Sequence, residues 1–181
     1  QPGSRELQFN AGAAAYKSGD YEKSATHFTE ALLSPNPKLR EAAAYNLANT
    51  LVRKGEAAPE PEAKKTNWKN AIEQYDEALQ LNPELWTAYF QLGLIFLTEG
   101  LIQEAKNTWE PLTQQNQKEY LFHFGTGLIQ LVDDQTEQAL ESLKVGISLN
   151  QENPALNRDV TTIIDNVYAQ IAELTESGDT E

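Results

Sequence analysis

Cysteine and methionine are both absent from the 181 residues, and the lack of cysteine removes disulfides, thiolate metal sites and a cysteine nucleophile together. With no methionine, Gln1 is expected to follow either a removed segment or an arbitrary chain boundary, and residues 1 to 10 carry no trace of a signal peptide. Long apolar runs are missing too. The longest, Leu92 to Leu97, is a third of the roughly 18 residues that a membrane span needs, so no direct membrane insertion is expected. Positive charge is scarce: 14 Lys+Arg stand against 27 Asp+Glu, for a net charge of −13. Residues 1 to 83 carry 10 against 11, residues 84 to 181 carry 4 against 16, so the acidity belongs to the second half. That balance speaks against nucleic acid and anionic lipid, which need basic surfaces. In the second half it either draws a basic partner or serves solubility.

Sites of chemistry are thin as well. His27 and His123 have no second histidine at helical spacing, so no metal pair is encoded. Asp133-Asp134 with Glu137 lacks the alternating oxygen ligands of a calcium loop and reads as a turn before a helix start, where acids are favourable. No phosphate-cradling glycine loop or nucleophile elbow is present. Neither a cofactor nor a catalytic residue is expected.

What the chain does have is one helical word written four times. Small residues recur at Ser24, Ala71, Ala105 and Ala139; large apolar ones at Phe28, Tyr75, Trp109 and Leu143; a third row runs Ala31, Ala78, Leu112, Gly146. The last three copies are 34 apart in every row, the period of a two-helix repeat. The expected organisation is a single domain over 1–174, with repeats at about 5–38, 39–83, 84–117 and 118–151. Ser4 is the expected cap of the first helix, which ends near Gly19. Between Ala48 and Gly93 the distance is 45, and the surplus of 11 lies in an insertion at 57–67. Its prolines open a loop, Pro61 suits the first turn of a helix, and Trp68 falls on the inner face of that helix. Such an insertion is either part of a binding face or a tolerated extension. A one-sided stripe at Leu156, Val160, Ile163, Ile164, Val167, Ile171 and Leu174 predicts a capping helix over 154–174. Residues 175–181 are expected to form a disordered acidic tail.

The word Gly19-Asp20-Tyr21-Glu22-Lys23-Ser24-Ala25, with Phe28 and Ala31-Leu32, resembles a tetratricopeptide (TPR) repeat. So do Tyr45-Asn46-Leu47-Ala48-Asn49 with Gly55, Ala71, Tyr75 and Pro83, then Leu92-Gly93, Gly100, Ala105 and Trp109, then Gly127, Ala139 and Leu143. In physical terms, small residues at Gly12, Ala48, Gly93 and Gly127 let paired helices approach, and the aromatic or leucine row fills the space between neighbours. The first half is also similar to TPR proteins of bacterial aerotolerance (Bat-type) operons, through Leu7-Gln8-Phe9-Asn10-Ala11-Gly12, Tyr45 to Leu51 and Asn67 to Ile72. That likeness implies a periplasmic or envelope-associated bacterial protein with a von Willebrand-type partner; without it the expected compartment is the cytoplasm.

The TPR resemblance implies an all-α, right-handed superhelical stack of about four hairpins plus a terminal cap, with the first helix of each hairpin lining a concave groove. Placed on that pattern, the groove residues are Phe9, Ala13, Tyr16, Tyr45, Asn46, Asn49, Phe90, Leu94, Leu97, Phe124, Leu128 and Leu131. The early positions are small and polar, with two asparagines able to hold an extended backbone. The late ones sit on helices apolar nearly all round, which are normally covered on both sides. Phe90, Leu94, Phe124 and Leu128 are therefore expected to lie under a partner peptide, a second copy of the chain, or the chain's own terminal helix. The lysine, asparagine and arginine clamp that holds chaperone tails in this family is matched only at Asn46; Phe9, Ala13, Thr87 and Gln91 depart from it. The implied function is a non-catalytic scaffold or adaptor that binds a peptide or helix of a partner protein, basic in character if the acidic half selects it. The alternative is a structural subunit that self-assembles into a homo-oligomer through its groove or open end.

Overall fold

A computed structural model describes residues 2–178 of the chain. It is all-α, and among the described residues there is no strand. Two compact units are formed, Gln1–Ile95 and Phe96–Glu181.

The first unit holds α1 (Pro2–Lys17), α2 (Tyr21–Leu32), α3 (Pro37–Ala57), α4 (Pro61–Leu81) and most of α5 (Trp86–Thr98). The first helix starts at Pro2 rather than after the expected cap Ser4, because proline's fixed φ already suits a first helical turn. Gly19, at φ 80°, turns the chain, and the Asp20 carboxylate caps α2 by accepting from the Lys23 amide at 3.1 Å. Pairing of α1 with α2 depends on Gly12: a Cβ there would come within 2.9 Å of the Phe28 ring, which is fully buried. Phe9 stacks edge-on to the same ring at 5.4 Å. Ser24 and Thr50, both wholly buried, link α2 to α3 through hydroxyls 3.0 Å apart.

The inserted stretch is mostly helix. Only residues 58–60 separate α3 from α4, and α4 begins at Pro61. Trp68 closes this lengthened hairpin. It is buried, occupies the space that a side chain at Gly55 would need, and donates from Nε1 to the Val52 carbonyl at 3.4 Å.

The second unit holds the end of α5, then α6 (Ile102–Trp109), a 3₁₀ turn (Glu110–Gln114), α7 (Tyr120–Val132), α8 (Thr136–Leu149) and α9 (Pro154–Gly178). Pro111 explains why the helix after Gly100 is short. It has no amide proton for the α ladder, and the chain tightens into the 3₁₀ turn that delivers Leu112 into the core. The α7–α8 turn places Asp134 at φ 60°, where Gly19 and Gly100 serve the corresponding turns. Leu156, Val160, Ile164 and Val167 bury one stripe of α9, which packs on α8. Ile171 is exposed, and the Leu174 side chain lies outside the described residues. The helix runs past the expected end at 174 because no proline or glycine interrupts it before Gly178. Thus 175–178, expected to be disordered tail, are helical, and the rest of that tail, 179–181, lies outside the described residues.

One periodic feature was not read from the sequence. Asn36, Asn82, Asn116 and Asn150, the last three 34 apart, each accept a backbone N–H two or three residues on, from Lys38, Glu84, Lys118 and Asn153 at 2.9–3.0 Å. A short amide that bonds its own following backbone is what stops one helix and starts the next.

Candidate interaction face

On α3, Asn46, Asn49 and Arg53 follow at helical spacings of three and four, so they form one stripe. The opposite side of the helix carries Ala44, Leu51 and Gly55, which are buried, Gly55 against Trp68 of α4. Thr50 and Lys54 meet α2 through Ser24 and Glu22. What remains for the stripe is the half-buried side, which faces Tyr16 of α1.

Each polar group on this side is anchored from within. Asn46 donates from Nδ2 to the Ala42 carbonyl at 2.7 Å, which leaves Oδ1 as the acceptor it can offer. Asn49 accepts the Tyr75 hydroxyl at 2.6 Å, which leaves its Nδ2 as the donor. Tyr45 lies against the Tyr75 ring at 6.0 Å, so α4 sets the orientation of both Tyr45 and Asn49. Burial works against the Arg53 charge, but hydrogen bonds to the Tyr16 hydroxyl and the Glu56 carboxylate more than offset it and raise its pKa. The Glu56 pair is 2.9 Å long. Tyr16 itself is braced edge-on by Tyr21 at 5.6 Å.

Of the groove residues expected from sequence, Phe9, Ala13, Tyr16, Tyr45, Asn46, Asn49 and Leu94 are half-buried in the first unit, and Leu97 and Leu131 are half-buried in the second. Tyr16 is brought to Arg53, and Tyr45 and Asn49 share Tyr75. Phe90, Phe124 and Leu128 need correcting. All three are 0% exposed and belong to the core. Phe124, for example, fills the space over Gly146 of α8 and takes the Tyr120 ring edge-on at 5.6 Å. These three side chains are covered within the chain itself, so their burial needs no partner. Arg53 is the residue that sequence reasoning missed; its signal was its position one turn beyond Asn49.

The two histidines are local fixtures. His27 Nδ1 and Gln8 Oε1 are 2.6 Å apart across α1 and α2, and His123 Nε2 donates to the Gln117 carbonyl at 2.8 Å. Among the described residues no group of three or more His, Cys, Asp or Glu is placed to hold a metal, and no helix is long and apolar enough to cross a membrane.

A family model for the TPR repeat matches residues 63–100. No curated protein sequence matches the chain. Among solved structures, MamA (residues 41 to end) from Desulfovibrio magneticus RS-1 is similar at a TM-score of 0.58 and 17% identity, with 98% of each chain covered. A double mutant of MamA RS-1 matches at 0.59 and 16% identity, again with 98% of each chain covered. A thermophilic TPR protein of Thermus thermophilus matches at 0.53 and 14% identity, covering 88% of this chain and 98% of that one. The fold is accordingly the all-α hairpin fold of TPR proteins.

Proposed function

We propose that the protein is a non-catalytic interaction scaffold whose first unit holds an extended segment of a partner protein against the α1–α3 face. The observation that carries this reading is the pair Asn46 and Asn49. Each has one end of its amide tied down inside the fold, and together they present one acceptor and one donor on a half-buried face. An extended backbone needs that combination, because every residue offers both an N–H and a C=O. Prior anchoring also lowers the ordering cost of binding. The resemblance in fold to TPR proteins supports the same reading.

The test is a pull-down from native extract with wild type and the Asn46→Ala, Asn49→Ala double variant, with helicity checked by circular dichroism. Loss of a retained protein by the folded variant is the expected result. Retention of the same proteins by both refutes the reading.

A second reading rests on a different observation. Val145, Leu149, Tyr168 and Ile171 leave α8 and α9 with large apolar side chains 36–45% exposed, which suits a structural subunit that self-associates. Sedimentation over a range of concentrations decides it, since a strict monomer removes the second reading.

A further inference from the structure

The apolar stripe of α9 continues beyond the point where its cover ends. Leu156 and Val160 are at most 2% exposed, Ile164 and Val167 are 6% and 8% exposed, and Ile171, the next position at the same helical spacing, is 41% exposed. Tyr168, one turn before it, is exposed as well. Length accounts for the change. α8 has 14 residues and α9 has 25, so at the α-helical rise the second helix is longer by roughly 16 Å. With the two joined through Asn150, α9 outruns α8 at its far end.

Lys144 of α8 reaches Tyr168, donating to its hydroxyl at 2.7 Å with Nζ 5.2 Å from the ring centre. Past this contact both helices carry charge of one sign. Back along α8 and the turn before it, residues 133–143 hold Asp133, Asp134, Glu137 and Glu141 and no lysine or arginine. Onward along α9, residues 169–178 hold Glu173 and Glu176 and again no base. Asp133 is paired with Lys106 of α6, whereas Asp134, Glu137, Glu141 and Glu173 stand exposed.

An apolar stripe bordered by carboxylates is matched by a helix whose own stripe is apolar and whose flanks are basic. Apolar burial supplies the affinity, and opposite charge around it orients the partner. A second copy fits worse. Two-fold pairing through α9 sets acid against acid, because Asp165 and Glu173 flank Tyr168 and Ile171 in each copy.

We infer that the end of α9, at Tyr168 and Ile171, is a further docking surface, carried by other helices than the α1–α3 face, and that its occupant is a basic amphipathic helix of a partner protein. The incoming helix takes up the stripe where α8 leaves off. Its basic flanks meet Glu137 and Glu141 on one side and Glu173 on the other.

The probe is a yeast-displayed library of helix-forming peptides of about 20 residues, sorted on the full chain. Leucine is fixed at every third or fourth position, and lysine, glutamate, glutamine or serine is drawn at random on the flanks. Expected is enrichment of lysine over glutamate. The tightest binder, measured by fluorescence anisotropy, should weaken about 10-fold with Ile171→Gln and several-fold with the Glu141→Gln, Glu173→Gln double variant. High salt should shrink the second effect and spare most of the first. All three substituted positions are exposed, and circular dichroism checks that each variant stays folded. Asn46→Ala, Asn49→Ala should leave binding unchanged, which keeps a failure here distinct from a failure of the α1–α3 reading. Enriched flanks with no basic bias, the absence of any binder, or binding indifferent to Ile171→Gln overturns the inference. Binding that needs Ile171 but ignores the two glutamates removes the basic partner. Association of the chain with itself in sedimentation, abolished by Ile171→Gln, makes a second copy the occupant and overturns the inference as well.

Discussion

Phe124→Ala separates a core residue from a groove residue in one experiment. Phe124 is 0% exposed, and burying a phenylalanine completely and then truncating it costs about 3–5 kcal/mol, through lost burial plus the cavity left behind. For a chain of this size that corresponds to a fall in melting temperature of roughly 6–20 °C. The structure sharpens the prediction through Gly146, because a Cβ on Gly146 would overlap the Phe124 ring, with the Tyr120 carbonyl 3.2 Å away. Gly146→Ala in the wild-type chain therefore trades a helix-propensity gain of about 1 kcal/mol against an overpacking cost of about 1–3 kcal/mol. With Phe124 reduced to alanine the overlap disappears, and Gly146→Ala should turn from destabilising to stabilising by up to about 1 kcal/mol. Urea unfolding of the four proteins, followed by far-UV circular dichroism, measures the cycle. A cost for Phe124→Ala below about 1 kcal/mol, or the same effect of Gly146→Ala in both backgrounds, would show that the α7–α8 packing described here is wrong.

Two further changes probe the joints between helices. Asn150 is 4% exposed and bonds Asn153 and Asn157, so Asn150→Ala should cost about 1–3 kcal/mol and speed hydrogen exchange at the start of α9; unchanged exchange there would dismiss the asparagine as a joint. Asp134 holds φ 60° where two equivalent turns use glycine, so Asp134→Gly should raise stability by about 0.5–1 kcal/mol in thermal melts, and a loss would mean that its side chain does more than turn the chain.

Much of the first unit was legible because its signals are local. The small residue at Gly12, the large one at Phe28 and the turn at Gly19 depend on neighbours no more than one helix away, and the repeat pattern marks each of them. The early helix start at Pro61 with Trp68 on the inner face also followed from local chemistry. The candidate face was harder. Counting positions along a repeat identifies which side of a helix points inward, but not whether its own fold already covers that side. Phe90, Phe124 and Leu128 looked like exposed contact residues for that reason, and all three are core. Arg53 was passed over because a charged residue near a helix C-terminus has an ordinary explanation in the helix dipole, and only its hydrogen bond to Tyr16 of another helix marks it out.

The amino-acid sequence by itself determined the all-α class, the hairpin period of 34 and the residue rows that pack one helix on the next, since these are written in spacings that any folded copy must obey. It also determined the charge imbalance between the two halves. Only the tertiary structure decided which apolar side chains are covered, how Tyr75 and Ala42 leave one donor and one acceptor on the α3 stripe, and that Tyr16 holds Arg53 beside them. The reason is physical. Burial and hydrogen-bond partnership are relations between residues far apart in the chain, and a pattern along one helix carries no record of what another helix brings to it.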